Sequence, residues 1–80
     1  MTEELEKYNQ VFINIFNVEE TELSELMYNE TPEWNSMAQI ALVSSIEEMF
    51  NVDLDMEDIY SLTTYDKGKQ LLKSKFGINL

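Results

Sequence analysis

The chain has 80 residues, sixteen acidic and five basic, for a net charge of −11, with no cysteine and no histidine. A chain this short makes one domain (residues 1–80), and with no disulfide to staple it, its small core must be compact and helical. The missing residue types exclude Cys/His zinc centres and Ser-His or Cys-His catalysis, and the acidic balance argues against nucleic-acid binding, because it repels phosphates.

Residues 3–16, EELEKYNQVFINIF, place Leu5, Tyr8, Val11, Phe12, Ile15 and Phe16 at helical spacing, with Lys7, Gln10 and Asn14 opposite. Thr2 is the expected N-cap, and Glu3 and Glu4 suit the positive end of the helix dipole. The first twenty residues lack the basic start and apolar run of a signal peptide, and no stretch is long enough to span a bilayer. The expectation is a cytoplasmic monomer without membrane insertion. Residues 17–35, NVEETELSELMYNETPEWN, are acidic, weakly periodic and hold the only proline. They read as a long loop with a short helical turn at about 21–27, tacked to the core by Leu23, Leu26 and Met27. A loop of that length in a small domain needs a reason.

The second helix spans 36–50, with Asn35 as N-cap. Leu42, Val43, Ile46, Met49 and Phe50 share the arc expected to face the core. Ser36, Met37, Ile40, Ala41, Ser44, Glu47 and Glu48 form another arc, whose mix of apolar and acidic groups fits a docking face; Met37 and Ile40 as further core is the competing reading. NVDLDMEDIYSL gives a turn and a short helix near 56–61. Thr63 or Thr64 then caps a last helix to about Phe76, with Tyr65, Gly68, Leu72 and Phe76 on one side and Gly77 as the stop. Gly68 inside a helix is unfavourable unless another element packs closely there.

The lysines are segregated: none lies between Lys7 and Lys67, after which Lys69, Lys73 and Lys75 follow. The anionic middle either steers basic protein partners in a salt-sensitive way or serves solubility alone. The acids come in runs, without an apolar setting that would raise one pKa selectively, so self-contained catalysis is not expected. A calcium loop at NVDLDMEDIYSL fails, because Met56 and Leu62 stand where glycine and a bidentate glutamate are required. Loose cation binding by Asp53, Asp55, Glu57 and Asp58 is left as charge relief, and no specific metal site is expected. Ser36, at a helix start, is by itself most simply a cap residue. Because Asn35 takes the capping role, however, the Ser36 hydroxyl is free to point outward, where the helix N-terminus favours an attached anion.

At this point the segment WNSMAQIALVSSIEEMF resembles the prosthetic-group region of acyl carrier proteins: Asp-Ser-Leu, spaced aliphatics, then Glu-Glu-x-Phe. NVDLDMEDIYSLTT is similar to that family's third-helix segment, so the resemblance covers most of the chain, with the first helix supported by pattern only. It implies an all-α, small four-helix bundle of three main helices and one short one, with a long first loop. It further implies that Ser36 carries 4′-phosphopantetheine through a phosphodiester, with Asn35 as the cap beside it. The arm's thiol holds an acyl or aminoacyl group as a thioester, and the protein performs no chemistry itself. The implied partners are a phosphopantetheinyl transferase and the enzymes that load and transfer acyl groups. These offer basic and apolar patches to Met37, Ile40, Glu47 and Glu48, with Ala41 on the same arc.

The departures are specific. Asn35 replaces the family's usual aspartate, which caps equally well but removes a carboxylate beside the modified serine. Ala38 and Ala41 stand where fatty-acid carriers often have acids, and Gln39 puts a polar group on the inward arc. Trp34 after Pro32 resembles freestanding carriers of specialised pathways, and there is no Gly-Gly-x-Ser signature of peptidyl carriers. The rival reading is an unmodified acidic helical module of the same fold that binds proteins only; a cation-binding regulator is a third.

Overall fold

The computed structural model describes residues 3–80, so the expected cap at Thr2 lies outside the described residues. The protein is all-α, with four α-helices, one 3₁₀ helix and no strand among the described residues. Helix α1 runs Glu3–Phe16, the span its apolar spacing predicts, and opens on three glutamates. Tyr8, Val11, Phe12 and Phe16 are buried, while Leu5 and Ile15 are only half-buried. Asn9 is buried as well, which hydropathy does not foretell.

Asn17 takes a left-handed conformation (φ 54°) after α1, and the chain enters the 3₁₀ helix Glu20–Glu25, where Glu22 Oε1 accepts from Glu19 N–H at 2.9 Å. Leu23 and Leu26 anchor this segment in the core as expected, but Met27 is 43 % exposed. The reason is local. Met27 forms an isolated antiparallel bridge with Thr64, and Tyr28 N–H donates to the Thr63 carbonyl at 2.9 Å. In extended backbone consecutive side chains alternate, so Leu26 points in and Met27 points out.

Helix α2, Ser36–Phe50, buries Leu42, Val43 and Ile46. Met49 corrects the expectation: it lies in line with Leu42 two turns on, yet is 42 % exposed, and Phe50 is half-buried. Met49 sits in the last turn of α2, at the edge of an open surface groove that it shares with Glu4, Lys7 and Ile78, so solvent reaches it there. Helix α3, Met56–Ser61, begins with a capping box between Asp55 and Asp58. Helix α4, Tyr65–Phe76, is capped by Thr64 and stops at Gly77 (φ 67°).

Helix α1 packs across α2, the 3₁₀ helix lies against α1 and α4, and α3 leans on α4. The centre is aromatic: Tyr8, Phe12, Phe16, Trp34 and Tyr65 are joined by ring contacts 4.9–5.9 Å between centroids. The Tyr8 hydroxyl donates to the Tyr65 carbonyl at 2.6 Å, and the Tyr65 hydroxyl donates to Asn9 Oδ1. Asn9 is thus buried because it accepts a phenol from across the core. Burial of Tyr8, with Tyr65 and Asp66 nearby, pushes its phenol pKa above the ordinary 10.0. Gly68 sits where α4 meets α1: a Cβ there would stand 2.1 Å from Tyr8 Oη and 2.7 Å from Leu62 Cδ1. The close approach inferred from its place in a helix is real.

Lys75 on α4 ties down the start of α3, donating to Asp55 Oδ2 at 3.1 Å and Asp58 Oδ2 at 2.5 Å. The backbone N–H of Asp58 and then the Lys75 ammonium hold Asp55 below the usual carboxylate range, and the two carboxylates, Asp58 first, raise Lys75.

Two outcomes follow from these contacts. Gly68→Ala gains helix propensity but displaces Tyr8 or Leu62, so a net loss of about 1–3 kcal/mol is expected from urea unfolding. Lys75→Met lowers the urea midpoint at pH 7. Asp55's folded pKa is depressed, so its share of that difference is lost as pH falls through a value below 3.8. Lys75's folded pKa is raised, so the difference is also lost as pH rises through a value above 10.5. A midpoint gap between wild type and variant that is flat across both limits would contradict the clamp.

Candidate functional site

Ser36 is the first residue of α2, and its position is set by the turn before it. Met27 N–H donates to Thr31 Oγ1, and Thr31 N–H returns to the Met27 carbonyl, both at 2.9 Å. Trp34 N–H donates to the Thr31 carbonyl, and Asn29 N–H to that of Trp34, again at 2.9 Å. Asn29 supports the tight path with a left-handed backbone (φ 68°). Trp34 is fully buried, its indole against Phe12, Phe16 and Tyr28. This plug is the reason for the long first loop: two residues after the tryptophan, the chain emerges at Ser36.

Asn35 caps the helix as expected, its Oδ1 accepting from Ala38 N–H at 3.0 Å. Ser36 is exposed, and its hydroxyl has no hydrogen-bond partner among the described residues. The first turn of α2 carries no acidic residue, so the positive end of a helix of 15 residues is not internally neutralised there. Met37 and Ile40 are 77 % and 69 % exposed, and Ala41, Ser44 and Glu48 are exposed too. The reading of Met37 and Ile40 as core is therefore excluded.

Glu47 behaves differently from Glu48. It is half-buried, and its Oε2 accepts from Leu54 N–H at 2.9 Å while its carbonyl accepts from Val52 N–H. Its carboxylate braces the loop into α3, so Glu47 is not a free docking charge. Asp55 and Asp58, half of the loosely cation-binding set, are engaged with Lys75. Among the described residues no group of three or more acids is placed to hold a metal ion.

Beside Ser36 lies a half-open groove of about 340 Å³, lined by Tyr28, Ser36, Gln39, Ile40, Ile59, Tyr60 and Thr63. Gln39 forms its floor. The Trp34 indole N–H donates to Gln39 Oε1 at 2.6 Å, and Gln39 Nε2 donates to the carbonyls of Ile59 and Leu62, each at 3.0 Å. One side chain thus ties the turn, α2 and α3 together. Tyr60, 73 % exposed, forms an outer edge. The sequence places Gln39 on the inward arc but does not single out Tyr28, Ile59 or Tyr60, and names Thr63 only as a candidate helix cap, a role that Thr64 takes. Ile59 and Tyr60 are legible only as apolar residues of a short helix; Tyr28 carries no pattern, because a backbone pairing between distant loops brings it to Thr63.

Chemically, the arrangement offers one uncommitted alcohol at a helix N-terminus, an apolar groove beside it, and an apolar, acid-edged face along α2. No protein-family profile, no curated protein and no solved structure matches the chain.

Proposed function

We propose that the protein is a freestanding acyl-carrier-type protein, its helices forming the small four-helix bundle of that family, with Ser36 as the attachment point for 4′-phosphopantetheine. The observation that carries this reading is the exposed, unpartnered Ser36 hydroxyl at the mouth of the groove, with Asn35 rather than Ser36 capping α2. The fit is chemical as well as spatial. A phosphodiester on Ser36 would lie at the positive end of α2, beside backbone N–H groups that no helical carbonyl satisfies. When attached, the group supplies a thiol that carries an acyl or aminoacyl cargo as a thioester.

In this reading the chain's own residues position and shelter. Trp34 and Asn35 fix where Ser36 emerges, and the groove takes cargo out of water. Met37, Ile40 and Ala41 with Glu48 present an apolar and acidic face to a transferase and to acyl-loading enzymes with basic and apolar patches. The rival, an unmodified protein-binding module of the same fold, shares that face but needs neither a free serine nor a groove.

Intact mass after incubation with coenzyme A, magnesium and a broad-specificity phosphopantetheinyl transferase tests the assignment. One added phosphopantetheinyl group is expected on wild type and none on Ser36→Ala. That variant should keep wild-type stability within about 0.5 kcal/mol, because the cap is elsewhere. No addition, with an ordinary carrier modified in parallel, favours the rival. Glu48→Lys should slow the transfer several-fold at low ionic strength, with the gap closing as salt is raised; equal rates at low salt would remove Glu48 from the docking face.

A further inference from the structure

The groove beside Ser36 has a volume of about 340 Å³, a buried Gln39 held by three hydrogen bonds, and no acidic or basic side chain in its lining. We propose that it receives a short, uncharged acyl chain, from about butyryl to octanoyl, and that Gln39 sets its depth and so determines the cargo class. This rests on the carrier reading above.

Size bears on the length of chain the groove can cover. At about 30 Å³ per water-sized group, the groove's volume of about 340 Å³ holds about eleven such groups. An octanoyl thioester contributes about ten and a palmitoyl thioester about eighteen. A longer chain would have to leave the groove or pass its floor. Gln39 is bonded to Trp34 and to the Leu62 carbonyl, and both residues are fully buried. To pass Gln39 a chain would break the Trp34–Gln39 bond and both bonds from Gln39 to α3. The indole N–H, the amide and two carbonyls would then face hydrocarbon, which cannot satisfy them.

The lining sets the polarity. Ile40, Ile59 and the rings of Tyr28 and Tyr60 supply apolar contact, with Ser36 and Thr63 hydroxyls as the polar groups besides Gln39. A carboxylate at the far end of the cargo would lose water without gaining a cation, on a chain of net charge −11.

Because the chain has no cysteine, Ser36→Cys provides a single thiol at the groove mouth. Mixed disulfides with methyl, butyl, octyl, carboxyheptyl and hexadecyl thiols then present chains of graded length without any transferase. Failure of this proposal is therefore separable from failure of phosphopantetheinylation, which is read by mass on wild type.

The butyl and octyl adducts should shift the NMR signals of Ile40, Ile59 and Tyr60 and raise Tm by a few degrees over the methyl adduct. The hexadecyl adduct should add nothing to the octyl value, and the carboxyheptyl adduct should fall back toward methyl. Throughout, the Trp34 indole N–H should keep its hydrogen-exchange protection. In the Gln39→Met background the hexadecyl chain should gain over octyl. Signals unmoved at every length would overturn the groove as a cargo site. A hexadecyl adduct that is more stable than octyl, with Trp34 protection lost, would overturn Gln39 as its floor. That second comparison needs only the Ser36→Cys protein, so it stands if Gln39→Met does not fold.

Discussion

Burial of Trp34 is the constraint around which the Ser36 end of the molecule is arranged. An indole in a dry interior needs a partner for its N–H, and Gln39, on the inward side of α2, supplies its Oε1. The other end of that amide then needs acceptors, which α3 and its end provide through the carbonyls of Ile59 and Leu62. One aromatic residue in a turn thereby dictates a glutamine on the next helix and the position of the helix after that. The same burial fixes the point at which the chain surfaces as Asn35 and Ser36. The groove is the space left over when α2 and α3 are held at the spacing Gln39 demands.

Helix α3 depends on such ties more than its neighbours do. Six residues cannot hold a helix by propensity alone, and its apolar contribution is small: Met56 and Tyr60 face solvent while Ile59 is half-buried. Its place is set by three polar attachments from three directions. Gln39 holds its end, Lys75 holds Asp55 and Asp58 at its start, and Glu47 holds Leu54 in the loop before it. Only the Lys75 attachment joins opposite charges and so weakens with salt or extreme pH. The wall of the groove is in this sense more conditional than its floor.

Helix limits are legible in the sequence where apolar spacing and a cap coincide, as they do for α2 and α4. The Asn35 cap and the Gly77 stop fall where the sequence puts them, and Thr64 takes the cap that the sequence leaves between Thr63 and Thr64. Gly68 is readable as a close approach because a glycine inside a helix costs stability unless a neighbouring element needs the room. Three features are not readable. Asn9 looks like a surface residue until Tyr65 arrives from 56 positions away. Met27 belongs to an apolar cluster by composition, but an extended pairing with Thr64 turns it outward. Glu47 and Glu48 look equivalent as neighbours, and only the backbone N–H of Leu54 distinguishes a brace from a free charge. Each miss is a long-range partner deciding what a local pattern leaves open. The groove is the same case: Tyr28 and Thr63 line it because Tyr28 N–H meets the Thr63 carbonyl.

The distribution of charge bears on how such a face is used. Four of the five lysines lie on α4. One of them is bound to Asp55 and Asp58, and another stands 5.5 Å over the Tyr65 ring. The exposed face of α2 has no base of its own to neutralise Glu48. A partner approaching it therefore meets an anionic field at long range and the side chains of Met37 and Ile40 at contact. These act at different stages, because charge governs encounter and apolar burial governs how long the complex lasts. Salt should thus change association more than dissociation at this face. The carrier role proposed above needs that combination: rapid encounter, and contacts small enough to release.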